Sequence, residues 1–269
     1  MKKKKAQRRI VIGDVHGCID ELHELLDKCH FKVHEDRLIL VGDLVDKGPE
    51  SRKVAQLAID LDAECVLGNH DEKHLRWNRW LRKKKENPEV NIPMKDNGFF
   101  WEMTDKEFHY FESMPLYILD GDWCIVHAGL ECDGRWPHQM DPKVMVRIRD
   151  VHWKTGLYHQ PPQAGERATG AVRWAERWQG PVNVIYGHAP GYDVKIDRTA
   201  RGRICLGIDT GCVHGGYLTA AIYEDSGLYE IVQVRGRKKY AEPFVVAGEE
   251  PEDYVQFGRA FEACGPTRA

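Results

Sequence analysis

The stretch LILVGDLVDKGP, residues 38–49, joins an apolar strand-like run to two aspartates, a lysine and a glycine–proline turn. A buried strand rarely ends in this way, because a buried charge costs free energy unless it is paired or bound to an ion. One aspartate alone could cap a helix. The pair Asp43 and Asp46, followed directly by Lys47, instead indicates a functional site at the end of this strand.

This stretch lies within a β-α-β-α-β pattern at the start of the chain. The predicted strands are residues 9–13, 38–42 and 65–68, and the predicted helices are residues 19–31 and 51–61, with Ser51 as a helix cap. Such a pattern is typical of parallel strands joined by helical crossovers. Ligands then gather at the carboxyl ends of the strands.

Five later runs also read as strands, at residues 123–127, 182–186, 204–208, 218–223 and 231–234. We therefore predict an α/β (α+β) domain over residues 10–235, with insertions at about 72–118 and 130–180. Residues 1–9 form a predicted basic arm, and residues 236–269 a C-terminal extension with no assigned element. The insertions are expected to shape the substrate site.

The composition excludes several classes of protein. Hydrophobic residues make up 42% and charged residues 30%, and no apolar run approaches the ~20 residues of a membrane span. No apolar segment follows the basic arm, so we expect no secretory signal and no membrane partner. The cysteines contain no C-x-x-C pair, which predicts reduced thiols in a cytoplasmic protein and neither a disulfide framework nor a structural zinc site.

Each of five predicted strands is followed by a side chain that can bind a metal ion. The motifs are GDVHG at 13–17, GDLVDKG at 42–48, GNHD at 68–71, VHAG at 126–129 and YGHAP at 186–190. The candidate ligands that they supply are Asp14, His16, Asp43, Asn69, His127 and His188. Any one motif alone could be a turn or a structural histidine. Five of them, each after a strand, indicate a metal centre.

Six ligands are too few for two separate closed sites, but they suit two ions that share one carboxylate. Asp43 is the expected bridge between a site with Asp14 and His16 and a second site with the other three ligands. Nitrogen and oxygen donors without thiolate fit manganese, which we expect first, and also iron, zinc, cobalt or nickel. Two such ions can hold a hydroxide between them that attacks phosphorus in line.

The chain resembles the phosphoprotein phosphatase family within the calcineurin-like metallophosphoesterases. The resemblance rests on the five motifs GDVHG, GDLVDKG, GNHD, VHAG and YGHAP. The resemblance runs from about residue 10 to 225. It implies a central β-sandwich flanked by helices, in four αββα layers, with a dinuclear metal centre held by the same six ligands. A non-catalytic metal-binding protein on this frame is the alternative from another class, but every expected group is present.

The resemblance also implies roles for residues beside the ligands. His70 is expected to act as general acid to the leaving oxygen, and Asp46 to hold the other nitrogen of its ring. Lys47 stands where protein phosphatases of the family usually have arginine, and we predict that it contacts substrate phosphate. Arg149 or Arg147 is the expected second cation, with solvated charges as the alternative.

The substrate is the open question. Lys-Gly-Pro, GNHD, HAGL, WAERWQGP and IDTGCVHGG are together most similar to the ApaH-like branch, which hydrolyses diadenosine tetraphosphate and related nucleoside polyphosphates. Asp46 departs from that branch, so a phosphoprotein substrate stays the alternative. Among nucleic acids, only capped RNA is a candidate substrate. Trp77 and Trp80 could stack on a base, but packing within an ordinary helical cap explains the same residues and is the favoured interpretation.

Overall fold

The computed structural model describes residues 7–162, 167–225, 227 and 229–242, and two packed β-sheets form its centre. The strands of the first sheet are β1 (Arg9–Ile12), β2 (Arg37–Leu40), β3 (Glu64–Cys65), β11 (Asp209–Thr210), β12 (Tyr217–Tyr223) and β13 (Tyr229–Arg235). Their order is β11-β12-β1-β2-β3, and β13 pairs with β12. Strands β1, β2 and β3 are parallel, as the β-α-β pattern predicted.

Helices cover the outer face of this sheet: α1 (Ile19–Lys28), α2 (Ser51–Asp60) and α4 (Asp105–Ser113). The alternation of a strand explains this layering, since Ile10 and Ile12 pack toward the helices while Val11 packs toward the second sheet. The prediction that Ser51 caps its helix is wrong. Glu50 is the residue before α2, and the Ser51 hydroxyl instead accepts a hydrogen bond from the Asp46 amide at 3.0 Å.

The second sheet contains β4 (Tyr117–Asp120), β5 (Trp123–Val126), β8 (Asn183–Tyr186), β9 (Lys195–Arg198) and β10 (Ile204–Gly207). Their order is β4-β5-β8-β10-β9, and β5, β8 and β10 are parallel. Its outer face is covered by the short helices α5 (Pro142–Met145) and α6 (Trp174–Arg177), beside a hairpin of β6 (Asp150–His152) and β7 (Ala171–Arg173). The predicted α/β sandwich in four layers is thus confirmed.

Strand register brings the five motifs to one edge of the sandwich. Ile12 pairs with Leu40, and Leu40 pairs with Cys65, so the first three strands end at the same level. Ile125 likewise pairs with Ile185 in the second sheet. The loops that follow these five strands therefore start from neighbouring positions.

The insertion of residues 72–118 contains most of α3 (Asn69–Glu86), all of α4 and the start of β4. Its aromatic residues pack against one another: Trp77 stacks on Phe100 with ring centroids 5.2 Å apart. This contact favours the packing interpretation of Trp77 over stacking on a substrate base. Among the described residues, we find no helix with the length and apolar character needed to cross a bilayer.

Two parts of the chain lie partly outside the described residues. Of the predicted basic arm, residues 1–6 lie outside, while Arg8 pairs with Asp36 at 2.8 Å and Arg9 begins β1. Of the predicted C-terminal extension, residues 243–269 lie outside. Residues 236–242 pack on the core, where the Tyr240 amide donates to the Val213 carbonyl at 2.9 Å.

His74 is buried inside the insertion, with its side chain among Phe100, Trp101 and Phe111. α3 turns this position toward the aromatic cluster, so the side chain is neither solvated nor a helix cap. Burial lowers the pKa of His74 to about 4. The imidazole is therefore neutral in the folded protein at neutral pH.

We expect His74 to make the fold less stable in mild acid. Its pKa is lower in the folded chain than the ordinary 6.5, so the unfolded chain binds the proton more readily as pH falls below 6.5. Between pH 7 and pH 5 this should remove about 2 kcal/mol from the free energy of unfolding. Urea unfolding of wild type and His74→Phe at pH 7 and pH 5 checks this. From pH 7 to pH 5, the free energy of unfolding should fall by about 2 kcal/mol less in His74→Phe than in the wild type.

The matched control for this experiment is His109→Gln, because His109 is exposed on α4. It should keep the wild-type difference between the two pH values. An equal difference in wild type and His74→Phe would show that His74 contributes nothing to acid sensitivity.

Candidate metal centre

The loops that carry the motifs have unusual backbone geometry. Glycine is required where they approach one another: a Cβ atom on Gly68 would lie 2.2 Å from the Asp43 amide nitrogen, and one on Gly187 would lie 2.0 Å from Asp14 Oδ1. Five non-glycine residues adopt left-handed backbone conformations, namely His16, Asp43, Asp46, Lys47 and His188. Such conformations cost roughly 1–2 kcal/mol each in an L-residue, and they concentrate at functional sites.

The first group of candidate ligands contains His16, Asp43 and His70. Asp43 Oδ2 lies 3.6 Å from His16 Nε2 and 4.0 Å from His70 Nε2. All three ligand atoms lie within 4.8 Å of one another. This spacing leaves room for one cation between them.

The second group contains Asp43, His127 and His188, again with ligand atoms within 4.8 Å of one another. Asp43 turns its other oxygen to this side, since Oδ1 lies 3.5 Å from His127 Nε2. Asn69 Oδ1 lies 3.1 Å from the same nitrogen. Asp43 is thus common to both groups, with one oxygen facing each.

Asp14 lies beside both groups and is 4% exposed. Burial, together with the charges of Asp209 and Asp43, raises the pKa of Asp14 well above its ordinary value. The His188 amide donates to both of its oxygens, at 3.2 and 3.1 Å. The fold therefore gathers the six predicted ligands at one edge of the sandwich, but Asp14 belongs to neither group, and His70 stands in the first group where Asp14 was expected. Buried Asp43 supplies negative charge that a divalent cation would neutralise.

The histidine tautomers suit metal binding. His16 Nδ1 lies 2.8 Å from the Val45 carbonyl, and His127 Nδ1 lies 2.8 Å from the Val41 carbonyl. A carbonyl can only accept, so each Nδ1 carries the proton and each Nε2 is left to bind a cation. Burial lowers the pKa of both imidazoles, which keeps them neutral. The residues present therefore fit divalent metal ions.

Lys47 reaches into the first group, where its Nζ lies 2.8 Å from His16 Nε2. Its ammonium contacts the nitrogen that the tautomer leaves unprotonated. The structure thus places the predicted phosphate-binding lysine at the edge of the centre. The unprotonated Nε2 of His16 can accept a hydrogen bond from this ammonium, and a metal cation would bind the same nitrogen.

His70 and Asp46 form a hydrogen-bonded pair, with His70 Nδ1 2.8 Å from Asp46 Oδ2. Burial alone would lower the pKa of His70, but Asp43 and Asp46 together raise it. Asn97 donates to the same Asp46 oxygen at 3.2 Å. Sequence reasoning missed Asn97, since nothing in its neighbourhood indicates that a loop of the insertion returns to this aspartate.

Asp71 is a second residue that sequence reasoning did not single out. It is fully buried and accepts hydrogen bonds from the amides of Asp43, Leu44 and Gly68, at 2.7, 3.0 and 3.1 Å. These bonds tie the Asp43 loop to the start of α3. Its position in the GNHD motif was the signal that could have found it.

The two predicted arginines lie at the His188 side of the centre. Arg147 accepts from His188 Nε2 through its carbonyl at 3.2 Å, and its guanidinium pairs with Glu72 at 3.2 Å. The Arg149 guanidinium contacts the His188 carbonyl at 3.4 Å. Both lie beside His188, and the Arg147 guanidinium has Glu72 as an acidic partner.

Comparison with known proteins agrees with this geometry. The model of the calcineurin-like phosphoesterase family matches residues 8–208, which is more than half of the chain. The chain belongs to this family. The resemblance read from the motifs is thereby confirmed, and so is the prediction of a metallophosphoesterase, a hydrolase. The family implies divalent metal ions, for which the two groups above are suited.

Relatives of this phosphoesterase include two kinds of tetraphosphatase. The chain is 32% identical over 238 residues to the asymmetrical bis(5'-nucleosyl)-tetraphosphatase PrpE of Anoxybacillus flavithermus, covering 80% of this chain and 90% of the relative. It is 26% identical over 263 residues to the symmetrical bis(5'-nucleosyl)-tetraphosphatase of Dechloromonas aromatica, covering 82% of this chain and 94% of the relative.

A solved crystal structure of a candidate diadenosine tetraphosphatase is also similar to this phosphoesterase. It superimposes with a TM-score of 0.68 at 31% identity and covers 87% of this chain and 95% of that chain. A metallophosphoesterase from Sphaerobacter thermophilus shares the fold, with a TM-score of 0.52 at 18% identity over 86% of this chain and 88% of its own.

Proposed function

We propose that this phosphoesterase hydrolyses nucleoside polyphosphates, with diadenosine tetraphosphate as the expected substrate. The observation that carries the proposal is the pair of ligand groups that share Asp43, because such a centre suits attack on a phosphoryl group. The named activities of the relatives support this class of substrate. The cationic side chains of Lys47, Arg147 and Arg149 beside the centre would also bind the negative charge of a polyphosphate chain.

The ions of the proposed centre are manganese first, with iron, zinc, cobalt or nickel as alternatives. Their expected ligands are Asp14, His16, Asp43, Asn69, His127 and His188, with Asp43 shared. When bound, the ions would supply Lewis-acid activation of water and neutralise charge on the phosphoryl group. The nitrogen and oxygen donors do not select among these metals.

The remaining residues would position the substrate and move one proton. His70 would donate its Nε2 proton to the leaving oxygen, while Asp46 holds the opposite ring nitrogen at 2.8 Å. Lys47 would contact a substrate phosphate once its ammonium turns from His16. Arg149 and Arg147 are proposed as further phosphate contacts.

A phosphoprotein substrate is the second candidate, and one observation favours it. The Asp46–His70 pair is intact, and a serine alkoxide needs a general acid more than a nucleotide leaving group does. Capped RNA has no such support among the described residues. We further propose a cytoplasmic location, because all seven described cysteines are free thiols.

Phe99 is our candidate for stacking on an adenine base. Its side chain is 41% exposed, and its amide donates to Asn97 Oδ1 at 3.0 Å while Asn97 contacts Asp46. An aromatic ring thus lies two residues along the chain from Asn97, which contacts the catalytic pair. We expect Phe99→Ala to raise KM for diadenosine tetraphosphate about 5- to 50-fold, since one base stack contributes roughly 1–3 kcal/mol.

The same variant should leave KM for p-nitrophenyl phosphate within twofold, because that substrate has no nucleobase. Val33→Ala is the matched control, since Val33 is 46% exposed but precedes β2, whereas the site follows that strand. An unchanged dinucleotide KM in Phe99→Ala would remove Phe99 from the binding site.

The test of the proposed function is product analysis with the full-length protein and manganese. Diadenosine tetraphosphate cleaved asymmetrically yields ATP and AMP, whereas symmetrical cleavage yields ADP alone, and chromatography separates them. Either product pattern would support the proposal. Hydrolysis of a phosphoserine peptide without any dinucleotide cleavage would overturn it in favour of the second candidate.

A further inference from the structure

We propose that Cys18, Glu21 and Cys212 form a separate zinc site that contains thiolate ligands. The two sulfur atoms and a carboxylate oxygen of Glu21 lie within 4.8 Å of one another. Cys18 directly precedes α1, Glu21 lies in its first turn, and Cys212 lies in the loop between β11 and β12. The cluster therefore joins the start of a helix to a loop from the far end of the chain.

All three side chains are buried, with Glu21 fully so and both cysteines 1% exposed. Glu21 Oε1 accepts from the Arg237 amide at 2.9 Å and from the Tyr240 hydroxyl at 3.1 Å. Neither donor carries a charge. Glu21 Oε2 is buried and has no hydrogen-bond partner among the described residues.

An unpartnered oxygen of a buried carboxylate is costly, and a bound cation would remove that cost. The two sulfur atoms beside this carboxylate select a thiophilic ion. Zinc binds cysteine sulfur at ~2.3 Å and carboxylate oxygen at ~2.0–2.2 Å. Tetrahedral ligands at those distances lie about 3–4 Å apart, which fits a cluster confined within 4.8 Å.

This site escapes the usual sequence rule. Structural zinc sites are recognised by cysteines a few residues apart, whereas Cys18 and Cys212 come from opposite ends of the domain. The fold brings them together because β1 pairs antiparallel with β12, which places the residues after β1 beside those before β12. The site would hold α1, the β11–β12 loop and residues 237–240 in one arrangement.

The test uses the full-length protein loaded with Co²⁺ in place of zinc. A cobalt ion bound by thiolate absorbs in the near ultraviolet through sulfur-to-metal charge transfer. The six proposed catalytic ligands include no cysteine, so this band reports only the new site. We expect this band in the cobalt-loaded wild type and its loss in Cys212→Ser. In the zinc-loaded proteins, mass spectrometry should find about one zinc ion per chain fewer in Cys212→Ser than in the wild type.

Cys124→Ser is the matched control, because Cys124 is fully buried in β5 and belongs to none of the ligand groups found among the described residues. It should keep both the band and the zinc content. If Cys212→Ser does not fold, Glu21→Gln should still lose bound zinc, and the wild-type band remains a test by itself. Absence of the band from cobalt-loaded wild type, or a Cys18–Cys212 disulfide in the purified protein, would overturn the proposal.

Discussion

Asp43→Asn should lower kcat/KM for p-nitrophenyl phosphate by about 10³-fold or more. Asp43 is the residue common to both ligand groups, with Oδ2 near His16 and Oδ1 near His127. The amide of asparagine keeps the size of the side chain but loses the charge that two cations would share. We therefore expect bound metal to fall together with activity.

The fold should survive this change. Asp43 has a left-handed backbone with φ 52°, a conformation that asparagine also tolerates. Its Oδ1 accepts from the His70 amide at 2.9 Å, and an asparagine oxygen can accept the same bond. Circular dichroism should therefore match the wild type while metal analysis does not.

Asp62→Asn is the matched control for this experiment. Asp62 has φ 51° but is exposed in the turn before β3, away from the strand ends that carry the site. Its activity and metal content should equal those of the wild type. Full activity in Asp43→Asn with two bound ions would refute the shared-carboxylate arrangement.

The second large effect should depend on the leaving group. We expect Asp46→Asn to lower kcat/KM for a phosphoserine peptide by about 10²- to 10⁴-fold, because general acid catalysis contributes that much where an alkoxide leaves. The same variant should lose less than about threefold on diadenosine tetraphosphate, whose nucleotide leaving group needs little protonation. Asparagine can still accept from His70 Nδ1, so the ring keeps its orientation and loses a nearby negative charge.

The comparison also distinguishes the two candidate substrates. His70→Ala should reproduce the pattern of Asp46→Asn, since the two residues are joined by a 2.8 Å hydrogen bond, and Asp62→Asn should change neither substrate. A uniform loss on both substrates would mean that the pair serves structure or substrate binding. The kcat/KM values of these variants on the two substrates, measured with manganese, distinguish a general acid from a structural contact.

Much of the centre could be predicted because its residues follow strands that are visible in the sequence. Asp14, Asp43 and Asn69 come after apolar runs, and parallel pairing places such residues together. Strand β9, Lys195–Arg198, was not predicted, because charged residues alternate in it and only pairing with β10 orders it. Strands β4, β6, β7 and β11 were not predicted either.

The remaining site residues depend on contacts that no local pattern encodes. Asn97 touches Asp46 only because the loop after α3 folds back to the site. Ser51 has the residue type of a helix cap, but its hydroxyl accepts from the Asp46 amide. His74 repeats one turn after His70, yet it faces the aromatic cluster rather than solvent.

The left-handed backbone at Lys47 implies a trade-off between thermal stability and catalytic activity. Lysine gains nothing from φ 67°, and glycine adopts that conformation freely, so Lys47→Gly should raise the free energy of unfolding by up to about 1 kcal/mol. The same change removes the ammonium proposed to bind phosphate. Laboratory evolution for thermal stability alone should therefore select substitutions in this loop. The selected variants should have a higher Tm and a lower kcat than the wild type.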